Sequence, residues 1–330
     1  MALKDKILDM LALDSIAYIS GEYMAECHGV SRAAVWKAIR QLQQEGFSID
    51  AQRNKGYRLI ETYDPLSEEG IVECLPDRIK DIVKLHIEDS TGSTNDDARD
   101  LATSGAPEFT VVGAREQVKG RGRRGRPFYA LGDTGVYLSI LLRPTWNMEQ
   151  AMKLTAAAAV AVSRAVEAVS PAHASIKWVN DVYIGPKKIC GILTEASADL
   201  ETGGLSYAIV GIGVNVYEPK GGFPADVAQR AGAVFKQVQQ NGRNRIAAGI
   251  ISELINIYAA ADFKEFIPEY RERSFLPGKD ITVLEGSSQT EKHATAISIE
   301  DDLSLRVRYE NGIEENLQSG EVSIRISAQK

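Results

Sequence analysis

Cysteine and histidine are scarce in this 330-residue chain, with three of the first and four of the second. Cys27, Cys74 and Cys190 are odd in number and far apart. That excludes a disulfide framework and suits a reducing compartment. His28, His86, His173 and His293 stand at no metal-ligand spacing with them, so no structural metal is expected. No apolar run approaches the roughly 20 residues a membrane helix needs. The opening MALKDKILDMLALDS carries aspartates inside its apolar stretch, so it does not read as a signal peptide. A cytoplasmic protein without membrane contact is expected. With 44% hydrophobic and 25% charged residues, the composition is that of ordinary globular domains, and the length suggests two or three of them.

The net charge is −7, unevenly spread. Residues 1–62 hold eight cations and eight acids, so the remainder carries the whole deficit. Within 31–60, Arg32, Lys37, Arg40, Arg53, Lys55 and Arg58 face only Glu45 and Asp50. One basic segment in an acidic chain points to local nucleic-acid contact.

The local pattern there agrees. Residues 2–13 read as an amphipathic helix through Leu3, Ile7, Leu8 and Leu11. Ser20 can cap a short helix at 21–27, broken by Gly29. Ser31 can cap a third, with Val35, Ile39 and Leu42 on one face and Gly46 as its stop. FSIDAQRNKGYRLI (47–60) then alternates around Arg53-Asn54-Lys55-Gly56 as a hairpin. Helix-turn-helix plus hairpin is a winged helix, whose third helix enters the major groove. Ser31, Arg32, Lys37 and Arg40 lie off its apolar face, and Arg53 and Lys55 sit at the wing tip to meet phosphate. A small three-helix protein-binding module with a solvated charged face is the alternative, and the basic wing in an acidic chain favours DNA. ETYDPLSEEG (61–70) is polar, contains Pro65 and reads as a linker.

The densest chemistry follows in GRGRRGR, residues 120–126. Glycines permit close backbone approach, and arginines bring planar forks that grip carboxylate and phosphate. Lys119 precedes them, giving five cations in eight residues. Such a loop should stay mobile until an anion neutralises it. The runs FTVVGAREQ (109–117) and GVYLSILL (135–142) on either side read as core strands. By itself the loop fits equally an anion site on a sheet and a solvated basic segment.

Three further strings follow: KWVND (177–181), KKICGILTE (187–195) and GIGVNV (211–216). Residues 148–169 form an alanine-rich helix, and 243–266 read as helical. Short alternating strands follow Pro277-Gly278, with an Asn311-Gly312 turn, and suggest a small β-barrel.

With GRGRRGR, these strings stand in the order and spacing of the biotin protein ligases, and the chain resembles those that carry their own DNA-binding domain. The resemblance runs over nearly the whole sequence. It implies three units: a winged helix (1–62), a mixed α/β catalytic domain of the biotin/lipoate ligase type (66–273) and a C-terminal SH3-like small β-barrel (274–330). It implies ATP and biotin as substrates, with Mg²⁺. Partners would be a biotin carboxyl carrier protein, operator DNA and, once biotinyl-adenylate is bound, a second copy of the chain.

Residue by residue, the resemblance places Ser93, Thr94, Asn95 and Gln117 on biotin, together with Gly120, Arg121, Gly122, Arg123, Lys188 and Gly191. Arg121, Arg123, Arg124, Phe128, Lys177, Asn180, Asp181 and Asn215 fall on the nucleotide. Lys188 and Arg123 would be catalytic. Relatives often have tryptophan where this chain has Phe128, and proline where it has Val179. Gly211 needs no role beyond a plain core strand. Strands 135–142 and 206–216 are candidate edges for a dimer interface. A lipoate–protein ligase would share the fold class, but its usual Arg-Arg, triple-glycine and histidine pattern is missing here. A ligand-sensing transcription factor without enzyme activity is the other alternative.

The DNA reading has a direct test. If a dimer contacts about six phosphates, affinity should fall roughly a thousandfold between 50 and 200 mM salt. Salt-insensitive binding would move the N-terminal unit to protein recognition.

Overall fold

The computed structural model describes residues 2–13, 17–44, 47, 49–59, 64–144, 148–198, 204–260, 264–285, 290–318 and 322–326. The expected stop at Gly46 and the linker residues 61–63 lie outside them.

The N-terminal unit has α1 (Leu3–Leu13), α2 (Gly21–Cys27) and α3 (Arg32–Gln44), then β1 (Ile49–Gln52) and β2 (Gly56–Leu59). Ser20 Oγ accepts from the Tyr23 amide at 3.0 Å and Ser31 Oγ from Ala34 at 3.2 Å, so both expected caps form. Ile7, Leu11, Met24, Val35, Ile39, Leu42 and Leu59 close a core of their own. The wing turns through Asn54 (φ 67°) and Gly56 (φ 113°). A side chain at Gly56 would lie 2.1 Å from the Ile19 carbonyl oxygen, so this turn requires glycine.

The chain continues with α4 (Glu68–Cys74), α5 (Asp77–Lys80), β3 (Lys84–Thr91), α6 (Thr94–Thr103), β4 (Thr110–Gln117) and β5 (Gly135–Leu142). Then come α7 (Met148–Val169), β6 (Ala174–Lys177), β7 (Asp181–Ile184), β8 (Lys187–Ala198) and β9 (Leu205–Asn215). These strands form a seven-stranded sheet, ordered β3-β4-β5-β9-β8-β7-β6. Of its pairs only β3–β4 is parallel.

Next are α8 (Gly242–Tyr258) and α9 (Ile267–Arg273). The Ala156–Ala159 run of α7 is fully buried, and with α8 it covers one face of the sheet. On the other face α6 packs Ala98 and Ala102 against Val112, Leu141 and Ile209.

The last five strands are β10 (Asp280–Glu285), β11 (Thr290–Ile299), β12 (Leu305–Tyr309), β13 (Glu314–Leu317) and β14 (Val322–Ile326). They form an antiparallel sheet ordered β13-β12-β11-β10-β14. Ile281, Val283, Leu305 and Val307 share one continuous core with the large sheet. Trp178 Nε1 donates to the Leu303 carbonyl across the junction at 2.8 Å.

Three expectations are corrected. The helix expected at 243–266 ends at Tyr258, and α9 forms separately with Pro268 in its first turn. The polar stretch 61–70 is a linker only in part. Ser67 caps α4 there, and Asp64, Pro65 and Leu66 are buried. Polar side chains hold them: Asp64 accepts from Tyr217 Oη and from the Arg243 amide, each at 2.6 Å, and Asn244 Nδ2 donates to the Pro65 carbonyl at 2.8 Å. Finally, β5 and β9 lie inside the sheet, each paired on both sides, so neither offers a free edge. Their unbroken apolar sequence is what burial on both faces demands.

Arg115 fastens the N-terminal unit to this body. It is 8% exposed on β4, and its Nε donates to the Leu66 carbonyl at 3.0 Å. Its Nη2 pairs with Asp9 of α1 at 2.8 Å, and Nη1 reaches Asp89 at 3.5 Å. Burial pushes the Asp9 carboxyl above its ordinary range, against the pull of Arg115. Arg115→Met therefore strands a buried acid and should cost about 3 kcal/mol. Thermal unfolding should show a lowered transition for Arg115→Met, partly restored by adding Asp9→Asn. Equal stability of all three forms would contradict the contact.

Candidate active site

One cleft of about 590 Å³ opens over the middle strands of the large sheet. Strand register builds its floor in two rows. Ser139 of β5, Gly211 of β9 and Leu193 of β8 are direct neighbours, and so are Tyr137, Gly213, Gly191 and Asp181 on β5, β9, β8 and β7. The rows are two residues apart along each strand, about 7 Å.

The first row carries the N-terminus of α6. Asn95 lies so close to the sheet that a side chain at Gly211 would sit 2.1 Å from its Oδ1. Gly211 is therefore more than a plain core position. Asn95 Oδ1 accepts from Ser139 Oγ at 2.6 Å, and Nδ2 donates to Glu195 at 2.6 Å and to the Leu193 carbonyl at 3.4 Å. Its amide is bonded to these protein groups, and the residue also lines the cleft. Gln117 Oε1 accepts from the Thr94 amide at 2.8 Å and Thr94 Oγ1 at 3.1 Å. That fixes the glutamine flip and leaves its NH₂ as the group for a ligand acceptor. Ser93 makes no side-chain cap bond and lines the same end. The groups these residues offer are short and uncharged, and Arg121 beside them is neutralised by Asp96 and Glu195.

Over the second row the cleft turns cationic. Arg123, Arg126, Lys177, Lys188 and Arg230 line it around a single carboxylate, Asp181. Lys188 Nζ pairs with Asp181 Oδ1 at 2.7 Å, and Arg123 Nη1 donates to Asn180 Oδ1 at 3.4 Å. Burial lowers the pKa of both Arg123 and Lys177, and Asp181 only partly offsets it. Arg126 adds to the penalty on each. Half-buried cations crowded this way are stabilised by any anion entering among them.

Phe128 lies against Gly213, where a side chain would come within 2.5 Å of its ring, and meets Tyr137 edge-on at 6.2 Å. The ring is anchored, and it also lines the cleft. Asn215 closes this end, its Nδ2 donating to the Gly232 carbonyl at 3.1 Å.

The arginine loop takes a defined path, bridged Arg121 to Pro127 and Gln117 to Ala130. Protein carboxylates supply the anion its sequence calls for. Arg121 forks onto Asp96 at 2.6 and 2.7 Å and reaches Glu195 at 3.4 Å. The Arg121 guanidinium, helped by Arg99, holds the Asp96 carboxyl down to about 2.

Gly122 is on the lining with Arg121 and Arg123, but Gly120 and Arg124 are not. Gly120 lies under the Phe128 carbonyl, and Arg124 takes a left-handed turn (φ 59°) that leaves its side chain exposed. Ser139, Asp96, Glu195, Tyr183 and Arg230 were not singled out in the sequence, and Arg126 was named only as part of the arginine loop. Ser139 did carry a signal, as the one serine in the otherwise apolar and aromatic run GVYLSILL.

Residues 88–215 match the biotin/lipoate A/B protein ligase family, and residues 4–58 match a helix-turn-helix domain. The bifunctional ligase/repressor BirA of Bacillus spizizenii is 34% identical over 279 residues, covering 84% of this chain and 82% of that protein. The chain belongs to the biotin protein ligases of the bifunctional ligase/repressor type. The biotin–[acetyl-CoA-carboxylase] ligase of Mycobacterium tuberculosis is 32% identical over 66% of this ligase and 81% of its own length. Among solved structures, the Aquifex aeolicus biotin protein ligase in complex with biotin and ATP superposes with a TM-score of 0.61 at 28% identity, over 74% of this ligase and 99% of that chain.

In this ligase Gly211→Ala should push Asn95 off β9 and disorder the neutral end. Titration should show biotin affinity reduced more than tenfold, at least about 1.4 kcal/mol, with the overall fold kept. Wild-type affinity would mean that the α6 terminus does not shape the site.

Proposed function

We propose that the chain joins biotin to ATP, giving biotinyl-5′-AMP and pyrophosphate, and then passes the biotinyl group to a lysine of a biotin carboxyl carrier protein. The observation that carries this is the division of one cleft into a neutral donor–acceptor end and a cationic end, with Lys188 near the junction. Biotin needs the first for its urea ring and ATP needs the second.

In the first step a carboxylate oxygen of biotin attacks the α-phosphorus, and pyrophosphate leaves. Ser93 and the Gln117 amide hold the ureido group, with Thr94 fixing the glutamine. Lys188 draws the carboxylate in and offsets charge growing at the α-phosphate. Arg121, Arg123 and Lys177 bind phosphates, Phe128 stacks on adenine, and Asn180 and Asn215 bracket the nucleotide. Asp181 is a fitting donor for Mg²⁺, which takes one or two protein carboxylates beside phosphate and water. The ion supplies charge neutralisation at the phosphates. In the second step the carrier lysine amine attacks the acyl carbon, an amide forms and AMP leaves. Positioning and exclusion of water carry both steps.

In this reading the chain divides into 1–62, 66–273 and 274–330, with the last unit an SH3-like cap. The first unit binds operator DNA through Ser31, Arg32, Lys37, Arg40, Arg53 and Lys55. Bound biotinyl-adenylate favours a homodimer, and in such a dimer two winged helices reach a two-fold operator. A sheet extended across the dimer would use β3, because the Ile176 carbonyl on β6 already accepts from the Phe275 amide. The setting is the cytoplasm; no helix of the described residues is long and apolar enough to cross a membrane.

Two variants test the chemistry. Lys188→Ala should abolish biotin-dependent ATP–pyrophosphate exchange with little change in stability, since the side chain is partly exposed. Arg123→Gly should still make the adenylate but shed it about tenfold faster, labelling bystander lysines. Wild-type exchange in the first, or an unchanged adenylate lifetime in the second, would remove that residue from the mechanism.

A further inference from the structure

The outward face of α3 holds one residue that neither the core nor the basic pattern explains. Val35, Ala38, Ile39 and Leu42 face inward. Ala33, Trp36, Lys37 and Arg40 are exposed on the opposite side, at the i, i+3, i+4 and i+7 spacing of a single stripe, with Arg32 exposed just before it. Trp36 is 54% exposed and takes no part in the N-terminal core. The Arg40 guanidinium sits over its ring, 5.7 Å from the centroid. The indole is exposed on the helix that a winged helix sends into the major groove, and it is held under a guanidinium, so it is placed to meet a base edge. The helix RAAVWKAIRQLQQ contains no acidic residue, so that surface is cationic around an aromatic centre.

We propose that Trp36 reads sequence: its indole packs on the 5-methyl group of a thymine in the major groove, with Arg40 held across the ring to reach the adjoining phosphate. The proposal rests on the DNA-binding reading of the N-terminal unit. Duplex DNA matches both features of the stripe. Phosphate meets the cations, and the thymine methyl is the one apolar group that the major groove presents. A protein partner would need acidic groups set around an aromatic slot, and nothing on this face favours one. Arg32, Lys37 and Arg40 then supply affinity without sequence preference, and Trp36 supplies discrimination.

The full-length chain, with biotin and Mg-ATP, is used to select from a random-sequence duplex library. In the winning duplex each thymine is then exchanged in turn for deoxyuridine, which removes only the methyl group. Wild type should lose about tenfold in affinity at one thymine per half-site. Trp36→Ala should bind the thymine duplex about tenfold more weakly, show no further loss on deoxyuridine, and keep the wild-type salt slope. Trp36→Phe should retain some methyl dependence, and Arg40→Ala should instead flatten the salt slope. Trp36→Ala and Trp36→Phe should biotinylate carrier at the wild-type rate.

An equal loss by Trp36→Ala on thymine and deoxyuridine duplexes would overturn the base contact, as would undiminished binding. A shift in its sedimentation without DNA would assign the indole to a second copy instead. If the wild type enriches no duplex, the DNA reading itself fails, an outcome distinct from wild-type binding that ignores the methyl group.

Discussion

Too many cations in too little water is the constraint on which this structure turns. Arg123, Arg126, Lys177, Lys188 and Arg230 share one cleft with Asp181, and burial penalises at least two of them as charged species. The protein relieves part of that strain itself. Asp181 takes Lys188, while Asp96 and Glu195 take Arg121. The cations left over favour a polyanion among them. A neutral pocket at the other end makes no such demand, so the two ends select different parts of a substrate pair.

Glycine lets the sheet serve as a floor for both ends. Gly211 admits Asn95 and Gly213 admits Phe128, each at a distance that a methyl group would close. Because the two lie two residues apart on one strand, the neutral and aromatic parts of the site are held in a fixed relation by β9 alone. Ser139, opposite Gly211, completes the first of them from beneath. The same sheet reaches the N-terminal unit: Arg115, two residues before Gln117, binds Asp9 and the Leu66 carbonyl. Ligand site and winged helix thus share one strand, β4.

Much of this was legible in the sequence because it is local. Caps at Ser20 and Ser31, the wing turn, the arginine loop and the KWVND hairpin each depend on residues within a few positions of one another. What was not legible depends on topology. Asp96 and Glu195 are 99 residues apart in number and meet only through Arg121 and Arg99. The placement of β5 and β9 inside the sheet follows from a chain path that no local pattern encodes, although their continuous apolar character was a fair sign of it. Gly211 looked dispensable for the same reason: the atom that needs its space belongs to α6, more than a hundred residues earlier.

Everything functional in the cleft depends on its neutral and cationic ends serving one reaction. The most direct measurement is exchange of labelled pyrophosphate into ATP by the purified chain, with biotin, with lipoate and with neither. Exchange that depends on biotin and is absent with lipoate is the expected result. No exchange with biotin, or equal exchange with lipoate, would contradict it.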